Sequence, residues 1–167
     1  MLKTNTNYSN SFEEKQRFSQ WWMWGFILLP LAIGLYGCYQ QLCLGTPMGT
    51  KPMSNTGLII FTLFGIGFVF FFWINQLKTK IDHQGIHVHF FPYTKRTVAW
   101  GEVDQCQVIP YGFVGGWGVR LWTQYGTVYN VTSGKGLYVQ LKNKEKFLVG
   151  TQQAEELEKF ITALDPL

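Results

Sequence analysis

Two stretches without a single charged side chain constrain this sequence more than anything else in it. One lies between Arg17 and Lys51, the other between Lys51 and Lys78. Each holds an apolar run long enough to cross a bilayer. A helix rising ~1.5 Å per residue needs roughly 20 such residues to span a hydrocarbon core of ~30 Å. The spans are expected at about 21–44 and 57–77, giving a transmembrane hairpin. The run Leu58-Ile-Ile-Phe-Thr-Leu-Phe-Gly-Ile-Gly-Phe-Val-Phe-Phe-Phe-Trp-Ile74 is apolar on every helical face, unlike the core helix of a small soluble domain. A cleaved signal peptide does not account for the first run. About twenty residues precede it, two of them Glu, and no small-x-small site follows.

The basic residues orient the hairpin. Lys3, Lys15 and Arg17 precede the first span, and Lys78, Lys80, Lys95 and Arg96 follow the second, whereas the connecting loop carries only Lys51. By the positive-inside rule both termini are expected in the cytoplasm. Trp21, Trp22, Trp24 and Trp73 would then sit at the cytoplasmic interface, with Tyr36 and Tyr39 near the far side. Pro30 is a candidate kink. Gly34, Gly37, Gly65 and Gly67 offer close-packing faces, either within the hairpin or between copies. Neither span holds an ionisable residue other than cysteine, which argues against an ion or proton pathway. Cys38, Cys43 and Cys106 are odd in number and scattered, so they are not a disulfide framework.

From Lys78 onward the apolar period changes to two, the mark of half-buried strands. Ile86, Val88 and Phe90 alternate with His87, His89 and Phe91, and Leu137, Val139 and Leu141 with Tyr138, Gln140 and Lys142. Strands are expected near 78–83, 86–91, 96–100, 105–110, 118–124, 127–132, 136–142 and 146–149, an antiparallel sandwich or barrel. Leu157, Phe160, Ile161 and Leu164 form one helical stripe, with Thr151 or Gln152 opening the helix and Pro166 stopping it. The expected domains are a cytoplasmic N-terminal segment at 1–20, the hairpin at 21–77 and a β domain at 78–167.

The stretches Lys78-Thr-Lys-Ile-Asp-His-Gln-Gly-Ile86, Val98-Ala-Trp-Gly-Glu-Val103, Gly115-Gly-Trp-Gly-Val-Arg120 and Phe147-Leu-Val-Gly-Thr-Gln152 precede a Glu-rich helix. With two spans in front, this pattern resembles the bacterial PH-like (pleckstrin-homology-like) membrane proteins. The resemblance implies a seven-stranded, strongly bent antiparallel sheet capped by the C-terminal helix. It implies no chemistry.

The residues themselves offer little catalysis. Gly115-Gly-Trp-Gly118 leads into a strand rather than a helix and lacks a following Lys-Ser/Thr, so it is no P-loop. His87 and His89 share a strand face, but two ligands do not make a zinc site. No metal or cofactor is expected. The domain after residue 77 carries ten Lys/Arg against eight Asp/Glu, too weak a balance for nucleic acid. The basic turns, Lys95 with Arg96 and Lys142 with Lys144 and Lys146, could each gain ~1 kcal/mol per charge at an anionic leaflet. The expected function is therefore a non-enzymatic, membrane-anchored domain binding lipid headgroups or a protein partner, with Lys95, Arg96, Trp117 and Arg120 as the binding residues. One alternative is a homo-oligomeric assembly factor packed through the glycines. Another is a lipid-modifying enzyme using His87, His89 and Glu102.

Overall fold

The structure, a computed structural model, describes residues 11–164. Lys3 and Pro166 lie outside them. The described chain divides into a helical unit, Phe18–Asn75, and a β-rich unit formed by the residues on either side of it.

The helical unit comprises α1 (Trp21–Cys38), a π-helical turn at Tyr39–Cys43, and α2 (Asn55–Ile74). Both helices are long and apolar enough to cross a membrane. Pro30 lies inside α1, and the irregular winding falls later, at Tyr39. The Ser54 hydroxyl accepts the Gly57 N–H at 3.2 Å and caps α2, satisfying one of the free donors at its start. A Cβ on Gly34 would stand 2.7 Å from Thr62 Oγ1, one on Gly65 3.2 Å from Leu31 Cα, and one on Gly37 2.9 Å from Leu58 Cδ1. Three of the four glycines are thus occupied in packing α1 against α2 or the loop, while a Cβ on Gly67 would meet nothing within 4 Å. Phe64, Phe68 and Phe72 recur every four residues and stack in a ladder at 6.0 and 5.0 Å.

The second span ends at Ile74, sooner than the hydropathy run suggests, because Leu77 belongs to a strand and is fully buried there. The strands are β1 (Ser11–Arg17), β2 (Gln76–Asp82), β3 (Gly85–Phe91), β4 (Thr94–Ala99), β5 (Val103–Tyr111), β6 (Gly118–Thr123), β7 (Gly126–Asn130), β8 (Gly134–Leu141) and β9 (Lys146–Thr151). Helix α3 (Ala154–Leu164) follows, and a one-turn 3₁₀ helix, Trp100–Glu102, joins β4 to β5. The eight expected strands are all present with ends within two residues of expectation. The ninth, β1, comes from residues that read as a separate charged segment.

The first sheet has the order β1-β2-β3-β4, and the second β5-β8-β9-β7-β6. Neither closes, so the unit is two open sheets rather than a barrel. The described residues depart from the implied all-antiparallel, seven-stranded sheet in a second way: β9 pairs antiparallel with β8 but parallel with β7. That position makes β9 central. Phe147, Leu148 and Val149 are all buried, and the strand reads as a continuous apolar run rather than an alternation.

Strand β1 is stitched to the second sheet and α3 by its inward face. Phe12 meets Phe160 with ring centroids 6.3 Å apart. One Glu14 carboxylate oxygen accepts the Thr151 hydroxyl at 2.6 Å and the other the Gln152 N–H at 2.8 Å. The Gln16 amide donates to the Gly150 carbonyl at 2.7 Å. Thr151 also accepts the Gln153 N–H at 3.0 Å, so it sits at the turn into α3 while the helix itself starts at Ala154. Leu157 anchors that helix and is buried.

The far face of the second sheet has a small core of its own around Tyr111, Val128 and Leu148. Tyr111 approaches β8 and β9 where Gly136 and Gly150 leave room. A Cβ would stand 3.0 Å from its ring at the first and 2.5 Å from its hydroxyl at the second. Its hydroxyl donates to the Thr132 carbonyl at 2.6 Å. Burial raises the Tyr111 pKa above the usual phenol value, partly offset by Asn130.

Candidate functional site

In an antiparallel sheet, residues directly opposite share a face and repeat every ~4.8 Å across the strands. On the outer face of the first sheet this places Lys15 opposite Lys78, Lys78 opposite His89, and His89 opposite Lys95. One row across all four strands therefore reads Lys-Lys-His-Lys and spans about 14 Å. The three lysines are exposed. Like charges directly opposite destabilise a sheet, and no carboxylate stands in this row to offset them.

The neighbouring rows define its limits. On one side Glu13, Lys80, His87 and Thr97 are in register, and Glu13 pairs with Lys80 at 3.1 Å. That ion pair is open to solvent and adds little stability, but it neutralises its row. On the other side Arg17, Gln76 and Phe91 are in register, adding one more cation. The face thus concentrates positive charge in the Lys15–Lys95 row and at Arg17. A shallow groove along β1 and β2 is lined by Glu13, Glu14, Lys15, Lys78, Thr79 and Lys80.

Of the four residues singled out from sequence, only Lys95 belongs to this row. Arg96 follows it in strand β4 and not in the turn, so it points to the opposite face. There its guanidinium lies 4.5 Å from the Phe147 ring centroid and pairs with Glu145 at 2.7 Å. Trp117 and Arg120 lie in the other sheet's region, at the start of β6. Trp117 is half-buried, its ring edge-on to Phe113 at 6.2 Å. Arg120 folds back over Gly116, where a Cβ would collide with its guanidinium, and donates to the Trp117 carbonyl at 3.2 Å. It braces its own loop. The sequence reading missed Lys15 and His89 as partners of Lys95. Register alone assembles them.

The histidines are also placed. His87 Nε2 lies 3.5 Å from Asp82 Oδ1, and its Nδ1 lies 3.4 Å from Thr97 Oγ1. This lines up a hydroxyl, an imidazole and a carboxylate, the residue types of a nucleophile, base and orienter. The separations are at the outer limit of hydrogen bonding, and the three lie on an open sheet face. Burial would raise the Asp82 pKa, but the N–H groups of Gln84 and Gly85 and the nearby His87 outweigh it and hold it below the usual carboxylate value. Glu102 lines a separate groove with Arg96, Leu141 and Glu145. Among the described residues no group of three or more His, Cys, Asp or Glu is arranged to hold a metal ion.

No protein-family model matches the chain, and no curated protein matches it either.

Proposed function

We propose that this is a non-enzymatic, membrane-anchored module whose cationic sheet face binds anionic phosphate headgroups at the cytoplasmic surface of the membrane its hairpin crosses. The observation that carries the reading is the row Lys15–Lys78–His89–Lys95, three lysines and a histidine in one row that holds no carboxylate. Such an arrangement costs stability in the free protein, and an anionic partner relieves it. A flat row suits several headgroups in a leaflet better than one small ligand, which needs converging groups.

The topology supports the anchor. The hairpin is inserted between β1 and β2, and Arg17 and Gln76, the residues that flank it, are register partners. A chain that leaves and rejoins one strand pair must return to the side it left, so an even number of spans is required. The basic flanks favour the cytoplasm as that side. A PH-like ancestry is consistent with two sheets and a C-terminal helix and remains part of this proposal.

Native mass spectrometry of the full chain in detergent, with phosphatidylglycerol and phosphatidylcholine in competition, tests it. The wild type is expected to retain the anionic lipid preferentially. The triple variant Lys15→Gln, Lys78→Gln, Lys95→Gln is expected to lose that preference. Equal retention by both proteins would remove the proposal.

A further inference from the structure

The hairpin joining β6 to β7 carries an irregularity. Arg120 pairs with Val128 and Thr123 with Gly126, so Leu121 and Trp122 together face the single residue Thr127. This is a β-bulge, a device that re-aims side chains. Trp122 adopts φ +56°, the left-handed region that disfavours any residue with a Cβ. Its indole is 95% exposed, and the adjacent Leu121 is 55% exposed. Regular alternation would turn one of two neighbours inward. The bulge presents both to the outside.

Three exposed lysines share this end of the sheet, and Glu102 stands beside them, its carbonyl accepting the Lys142 N–H at 2.9 Å. Gly126 packs against the Lys146 carbonyl, and Thr127 is in register with Phe147. The β6–β7 tip therefore lies at the same end of the second sheet as the turn into β9, which carries exposed Lys142, Lys144 and Lys146. The single carboxylate of that turn, Glu145, is taken by Arg96 at 2.7 Å. From Gln105 to Lys144 the chain contains no Asp or Glu at all.

We infer that this end of the second sheet docks on an anionic bilayer, with Trp122 and Leu121 entering the headgroup region and the three lysines contacting lipid phosphates. Tryptophan beside leucine suits the interface, where an amphipathic ring settles with its apolar body down. A lysine collar around an apolar wedge is the composition of surface-docking elements. An anionic leaflet complements both the exposed lysines and the apolar tip. This site is separate from the Lys15–Lys95 row. It shares with the proposed function the reading that the protein resides at a membrane and meets anionic lipid phosphates there.

The test uses the full chain in nanodiscs whose acyl chains are brominated. The emission of Trp122 is obtained as the difference between wild type and Trp122→Phe. With phosphatidylglycerol present, that difference is expected to be blue-shifted and quenched by bromine. In phosphatidylcholine alone, or in the triple variant Lys142→Gln, Lys144→Gln, Lys146→Gln, the quenching is expected to fall. A second preparation carries the bromine in added anionic vesicles, and quenching there supports docking to a facing bilayer. Water-like emission unquenched in every preparation overturns the inference. So does a blue shift that bromine leaves untouched and that grows with protein density, which would mean a second copy covers the tip. Because Trp122 is a surface residue, unchanged circular dichroism of Trp122→Phe shows that the readout reports docking. Failure here, together with a lipid preference that the wild type shows and the Lys15, Lys78, Lys95 variant loses, refutes the tip and leaves the row standing.

Discussion

Replacing Glu14 by alanine removes two acceptors from the seam that holds β1 to the second sheet. The carboxylate is 8% exposed and accepts the Thr151 hydroxyl at 2.6 Å and the Gln152 N–H at 2.8 Å. A hydrogen bond to a charged group contributes about 1.5–3 kcal/mol net. Two of them, less the desolvation regained when the carboxylate is deleted, suggest about 3 kcal/mol for Glu14→Ala. The loss should be local, because β1 is an edge strand with one neighbour. Hydrogen exchange on the full chain in nanodiscs is therefore the suitable assay. If β1 opens separately, its amides should exchange faster by roughly 100-fold, since 1.4 kcal/mol is a factor of about ten. The amides of β8 and β9 should change less. Thr151→Val should give a smaller acceleration, and the double variant less than the sum, since the two residues share a bond. If β1 exchanges at the wild-type rate in Glu14→Ala, the seam does not hold the strand.

Other outcomes follow from the same geometry. Because Arg17 and Gln76 are register partners, replacing residues 18–75 by Asn-Gly, a two-residue turn suited to an antiparallel pair, should give a folded, water-soluble β unit. Gel filtration and circular dichroism check this, and an aggregated product would count against the division into two units. Asp82 has a folded pKa below its ordinary value, so its contribution to stability is present above about pH 4 and is lost as pH falls through the folded pKa. The gap in unfolding midpoint between wild type and Asp82→Asn should close as pH falls below about 4. Burial pushes the Cys106 thiol up to about 12. In a Cys38→Ser, Cys43→Ser background, alkylation at pH 8 should be about a thousandfold slower folded than unfolded, because the thiolate is the reactive form. Comparable rates in the two states would show that Cys106 is open to solvent.

The sequence by itself determined the two apolar helices, eight of the strands and α3, because each carries its own periodicity. A span needs only length and apolarity, and a half-buried strand needs only alternation. Strand β1 escaped that logic. Its inward residues are Phe12, Glu14 and Gln16, and two of the three are polar because they meet a hydroxyl and backbone groups instead of a greasy core. No local pattern announces such a strand, since its partners lie more than a hundred residues away. The same holds for the site. Lys95 and Arg96 are neighbours in sequence but point to opposite faces, whereas Lys15, Lys78 and Lys95 are distant in sequence and share one row of the sheet. The bulge that turns Leu121 and Trp122 outward depends on how β6 pairs with β7. Composition and period decide which elements form. Pairing register decides which side chains meet, and only the tertiary structure sets it.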